Sequence, residues 1–157
     1  MGYTDLLSFY NESFPKGTPY TTGFTLSSVK TGESFGAFTS ETFFVKSITL
    51  FVESGATFTN FRLRYPNLHT SGVFDETRTG YDGLRYFCGA SQKLPDGQGN
   101  EYYTGKTYYK FDIDFQKPIH LVNADGDYIH IGLQGLANGE VDVQANGWRV
   151  LTTDDGV

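Results

Sequence analysis

The stretch Phe43–Tyr65, FFVKSITLFVESGATFTNFRLRY, decides how the rest of the chain is read. From Phe44, the residues Ile48, Leu50 and Val52 fall on one side of a two-residue period that only Lys46 interrupts. After the polar break Glu53-Ser54-Gly55-Ala56-Thr57, the residues Phe61, Leu63 and Tyr65 alternate with Asn60, Arg62 and Arg64. Successive side chains of a strand point to opposite faces, so each run covers a core with one face and meets water with the other. Two such runs across a short break predict an antiparallel hairpin.

The same period returns downstream. Over Thr107–Phe115, Tyr109, Phe111, Ile113 and Phe115 point inward, against Tyr108, Lys110, Asp112 and Asp114 on a wet face. Pro118 is expected to break this strand, because proline cannot donate to a ladder, and Asn123–Asp127 to turn the chain. Ile129, Ile131 and Leu133 form the next inward set, with Tyr128 and His130 opposite. Asn138-Gly139 and Asn146-Gly147 are strong hairpin signals on either side of Val141 and Val143.

Upstream, Phe24, Leu26 and Val29 suggest a strand, and residues 1–20 an N-terminal arm or edge strand. Two long polar connections, 66–83 and 89–106, flank a strand expected at Leu84–Cys88, with Leu84, Tyr86 and Cys88 on one face. About eight short strands without a ten-residue helix point to an all-β antiparallel sandwich. The two long connections favour a jelly-roll-like order over an up-and-down barrel, which would use short turns throughout.

At 157 residues the chain has room for one domain, 1–157, with a real core, since about 150 residues bury roughly two-thirds of their unfolded surface. Its 19 glycines are spread along the chain, and 17% of its residues are aromatic, a composition suited to short strands and tight turns. A net charge of −6 and a sequence pI of about 4.9 argue against a phosphate-backbone partner. The single Cys88 excludes an internal disulfide and fits a reducing compartment. The N-terminal MGYTDLLSFYNESF has acidic residues where a secretory leader carries positive charge, and no stretch approaches the roughly eighteen apolar residues of a spanning helix. A signal peptide and a membrane partner are therefore not expected.

Four constellations bear on chemistry. Asp112, Asp114, Asp125 and Asp127 are candidate calcium ligands, since hard cations take several carboxylate oxygens at once; the other reading puts the first pair on a solvated face and the second in a turn. His69, His120 and His130 lack metal-ligand spacing, so zinc would require tertiary convergence. There is no Gly-x-Ser-x-Gly elbow, and Cys88 sits among apolar neighbours, so no catalytic residue is assigned and no enzyme is expected. The fourth is aromatic: Tyr81, Tyr86, Tyr102, Tyr103, Tyr108 and Trp148, with Arg78 and Arg85 nearby, form the candidate interaction surface for a protein or a sugar.

The pattern of Phe43–Tyr65, followed by Gly105-Lys106-Thr107-Tyr108-Tyr109-Lys110-Phe111-Asp112-Ile113-Asp114-Phe115 and Gly126-Asp127-Tyr128-Ile129-His130-Ile131, resembles the jelly-roll modules of two settings. One is the accessory structural proteins of tailed phages, such as capsid decoration, fibre or baseplate components. The other is the carbohydrate-binding modules of polysaccharide-degrading enzymes. A leaderless, acidic, disulfide-free chain fits the first better. That resemblance implies a non-enzymatic virion protein, assembled in the host cytoplasm, docked on other virion proteins in multiple copies or as a homo-oligomer, and displaying its loops. The alternative implies a glycan-binding module that recognises a host-surface sugar through exposed rings.

Overall fold

The computed structural model describes residues 17–67, 72–88, 92–93 and 107–152. Among these residues the strands are β1 (Thr18–Leu26), β2 (Gly32–Phe35), β3 (Glu41–Glu53), β4 (Asn60–Asn67), β5 (Gly72–Thr79), β6 (Gln92–Lys93), β7 (Tyr108–Val122), β8 (Ile129–Gln134) and β9 (Val141–Leu151), with one α-helix, α1 (Gly80–Cys88), and a 3-10 turn at Asn123–Asp125. They form two antiparallel sheets, β1-β9-β3-β7-β6 and β2-β8-β4-β5. Apart from the two-residue β6, the chain crosses from one sheet to the other at every connection except β4–β5. This is the jelly-roll order, although the expected crossing loop 66–83 is no crossing loop: it holds β5, which pairs with β4 in the same sheet.

The decisive stretch is consequently two strands of opposite sheets and not a hairpin. β3 pairs with β7 and β9, whereas β4 pairs with β5 and β8. Residues 54–59 arch over the end of the sandwich, so the apolar faces of β3 and β4 meet across the core instead of lying side by side. Burying both faces against each other removes more apolar surface from water than a free hairpin could.

A β-bulge at Lys46 resets the face of β3. Val45 opposes Gly147 and Ile119, while Ser47 opposes Asn146 and Asp114. The inward residues are therefore Phe43, Val45, Ile48, Leu50 and Val52, and Phe44 lies on the outer face, where its ring meets that of His120 at 4.3 Å. An extra residue in one strand shifts every later side chain by one face, which is how the run through Lys46 misleads a simple two-residue count. The Lys46 ammonium donates to the Phe115 carbonyl at 3.0 Å, inside the segment of β7 that has no ladder partner on β3. Pro118 sits in that same segment, so β7 continues to Val122 past it.

Asn146-Gly147 likewise is no turn. Both residues lie within β9 opposite the bulge. Asn138, at φ 61°, does lead the β8–β9 connection. β1 is an edge strand paired along its whole length with β9, and Val29 lies beyond it, 93% exposed.

Leu50, Phe61, Phe111, Ile129, Ile131 and Leu133 lie between the sheets and are at most 1% exposed. At the end of the sandwich near β1, the Arg149 guanidinium closes the core: it donates to both Glu41 carboxylate oxygens at 3.1 Å and stacks over Phe38 at 4.3 Å. Asp127, 4% exposed, accepts the Val122 N–H at 3.2 Å and ties the turn at Asn123–Asp125 to the end of β7.

Candidate interaction surface

Residues 66–83 are not one long polar loop, and Leu84–Cys88 is not a strand. β5 occupies Gly72–Thr79 as the edge of the smaller sheet, and α1 follows directly. Tyr81, Leu84 and Cys88 are spaced three and four apart, which places them on one face of a helix. Asp82 in the first turn and Arg85 in the last complement the helix dipole, and they pair with each other at 3.1 Å. Gly80, at φ 60°, turns the chain from strand into helix. Gly83 lets α1 press on β5: a Cβ there would stand 2.6 Å from that of Arg78.

The helix plugs the gap between the sheets at the β5 edge. Leu84 is fully buried, and Phe87 packs edge-on against Phe61 at 5.1 Å. Tyr81 faces inward, its hydroxyl donating to the Ala56 carbonyl at 2.7 Å and its ring 4.7 Å from that of Phe58. Tyr81 is thus an anchor of the helix and not a displayed ring.

Tyr86 is displayed. It is 58% exposed, meets Phe87 edge-on at 5.3 Å, and carries the Arg78 guanidinium over its face at 3.7 Å. Arg78 is held there because its Nε donates to Glu76 at 2.6 Å. Phe74, 43% exposed, stands beside Phe87 at 6.4 Å. Phe74 and Phe87 form one wall of a wholly apolar cavity of about 350 Å³ that runs between the sheets to Leu63, Ile113 and Phe115. Two exposed rings, a stacked arginine and an apolar recess make up one corner of the molecule. Arg85 lies on the same helix, 5.9 Å from the Tyr81 ring.

The other candidate residues go elsewhere. Tyr102 and Tyr103 lie outside the described residues. Tyr108, expected on a wet face, is 4% exposed, and burial, reinforced by Glu53, Asp142 and Glu140, pushes its hydroxyl up to about 12. Trp148 lies on the outer face of the larger sheet, opposite Phe44 and Pro19, beside a depression of about 310 Å³ that includes Lys46 and Asn146. The four aspartates do not converge. Asp112 accepts the Thr49 hydroxyl at 2.7 Å, Asp127 serves its turn, and no group of three or more candidate metal ligands occurs among the described residues. His130 faces outward from β8, bonded through Nδ1 to Ser34 at 3.0 Å.

Burial holds several groups protonated. It raises the Tyr65 and Tyr81 hydroxyls and pushes the Cys88 thiol up to about 12, with Asp112 and Asp114 adding to the rise. The sign follows from linkage. The stabilisation is complete below the unfolded thiol value of 9.0 and is lost as pH climbs toward the folded value, because only the unfolded chain releases its protons in between. The urea midpoint is expected to be level between about pH 7 and 8.5 and to fall by about pH 10.5. Cys88 is expected to react slowly with a disulfide reagent at pH 8 and quickly once urea unfolds the chain; equal rates in both states would contradict its placement.

No family model matches this chain, and no curated protein matches it. Among solved structures, the Drosophila NLP-core, described in connection with pentamer formation and histone binding, aligns over 83% of this chain and 97% of its own. Identity over that alignment is 11% and the TM-score is 0.41, a likeness too distant to carry an argument about function or assembly.

Proposed function

We propose that the chain is a non-enzymatic structural component of a virion, which docks on other virion proteins through the corner built by Phe74, Arg78, Tyr86 and the apolar recess beside Phe87. The observation that carries this reading is the stacking of Arg78 on a Tyr86 ring that is 58% exposed and that packs edge-on against Phe87, which lines the apolar cavity. Binding energy in protein interfaces concentrates in Tyr, Trp and Arg around desolvated pockets, and the recess is large enough to take an apolar side chain of a partner. An exposed Tyr–Arg pair also costs little entropy on docking, because the stack and the Glu76 bond already fix both side chains. The particle setting comes from the resemblance of the strand pattern to phage accessory proteins. Assembly in the host cytoplasm and presence in multiple copies belong to the same reading.

The test is incorporation. Wild-type chain is expected in stoichiometric amount in purified particles. A Tyr86→Ala/Phe74→Ser double variant is expected to be folded, by its circular dichroism and thermal transition, but depleted at least about tenfold from particles, as the loss of one or two hot-spot rings implies. Absence of the wild-type chain from particles, or full incorporation of the double variant, overturns the proposal.

A further inference from the structure

The outer face of the smaller sheet carries a polar trough of about 690 Å³, within the roughly 300–1,000 Å³ range of small-molecule sites. The register explains it. Gly32, Gly132, Arg62 and Thr77 lie in one row across four strands, so two adjacent positions of that row have no side chain. The neighbouring rows supply walls: Ser34, His130, Arg64 and Asp75 on one side, Gln134 and Asn60 on the other. The His130 ring leans over the glycine floor, its Nε2 3.0 Å from where a Cβ of Gly32 would stand.

The walls are fixed in place yet retain free hydrogen-bonding capacity. Arg62 donates through Nε and Nη2 to the two Asp75 oxygens at 2.9 and 2.8 Å, which leaves its Nη1 without a partner among the described residues. Asn60 donates to Gln134 Oε1 at 2.7 Å, leaving the Asn60 carbonyl as acceptor and the Gln134 amide as donor. With Nδ1 on Ser34, His130 has Nε2 open to the trough. Burial and the two arginines hold this imidazole below its usual range, against the opposing pull of Asp75, so it is neutral at physiological pH. Arg62 and Arg64 against Asp75 leave one positive charge here, on a chain whose net charge is −6.

No Phe, Tyr or Trp is among the described residues that line the trough, and its planar amide, guanidinium and imidazole groups alternate donors with acceptors. That suits a compact polyhydroxylated ligand, and the single residual positive charge suits a monoanion better than a phosphate dianion. We propose that the trough binds a carboxylate-bearing sugar, with Arg62 receiving the carboxylate and the Asn60, Gln134 and His130 groups receiving ring hydroxyls. The site is independent of docking at α1, because alternate residues of β5 serve the two surfaces: Asp75 and Thr77 point into the trough, and Phe74, Glu76 and Arg78 toward the corner.

The test titrates the ¹⁵N-labelled chain with D-glucuronate and N-acetylneuraminate, using D-glucose and acetate as controls. At least one acidic sugar is expected to shift amides of residues 31–34, 60–64 and 130–134 saturably in the millimolar range, with both controls at least about fivefold weaker. Gly132→Val, which fills the floor from the solvent side, and Arg62→Gln, which removes the guanidinium, are each expected to weaken binding by about tenfold or more. If Gly132→Val fails to fold, Arg62→Gln decides. Absence of saturable shifts for both acidic sugars overturns the proposal, as do equal responses to glucose or acetate and undiminished binding by the folded variants.

Discussion

Gly147→Ala is expected to destabilise the protein by more than about 3 kcal/mol, the largest effect of a methyl group added at any of the described glycines. Gly147 opposes Val45 at the point where β3 gains its extra residue, and a Cβ there would fall on the carbonyl oxygen of Phe44, with the Phe43 ring 3.1 Å away. The obstacle is backbone held by ladders on both sides, so no rotamer change relieves it. A domain of this size is stable by roughly 5–15 kcal/mol, so the loss is expected as a large drop in the urea midpoint. Gly55→Ala serves as the control. Its new Cβ would meet only the Asn138 carbonyl oxygen at 3.4 Å, and its effect should stay within about 0.5 kcal/mol. Equal midpoints for the two variants would show that the bulge is not where the register puts it.

Leu84→Ala is expected to cost about 2–5 kcal/mol, the range for emptying a fully buried leucine site. Leu84 has no exposed surface and is the only large side chain of α1 buried to that degree. Without it, the helix keeps Tyr81 on Ala56 and Phe87 on Phe61 but loses the contact between them. Hydrogen exchange is expected to speed up over residues 80–88 before the sheets open, because the helix is peripheral to the ladders. If the chain docks as proposed, incorporation into particles is expected to weaken in the same variant, since Tyr86 takes its position from this helix. Unchanged exchange over 80–88 would mean that α1 is held by something other than its buried leucine.

These two sites also show where a sequence is and is not readable. The inward residues Tyr109, Phe111, Ile113 and Phe115 follow strict alternation, and each packs on the core as that alternation requires. Ile129, Ile131 and Leu133 do the same. At Lys46 the count fails, because a bulge is set by what the neighbouring strands need. β9 keeps its own alternation through Gly147 while β3 absorbs the extra residue. A turn signal can fail in the same way. Asn146-Gly147 has hairpin composition, but its glycine is required for close backbone approach within a strand.

The helix was partly legible. Tyr81, Leu84 and Cys88 fit a helical period, whereas Leu84, Tyr86 and Cys88 fit an alternating one, and nine residues are too few for periodicity to arbitrate. Packing decided it. A helix can fill the opening beside an edge strand while lending its own backbone hydrogen bonds, which a further strand without a partner could not do.

Of the candidate surface residues, Arg78 and Tyr86 meet in one place, while Tyr81 turns inward and Tyr108 keeps to the outer face of its strand but is covered there by its neighbours. Residue type marks a ring as capable of display, but exposure depends on which layer covers it. The polar trough had no signal in one dimension, because its floor and walls come from strands paired across as many as 100 positions of chain. The sequence by itself determined the inward faces of β4, β7 and β8, the sandwich class and the absence of an internal disulfide, since these depend on local alternation and residue type. Only the tertiary structure decided which strands pair, where the register slips and which polar groups converge. Those features depend on burying two apolar faces against each other, and the free energy of that burial belongs to no single segment.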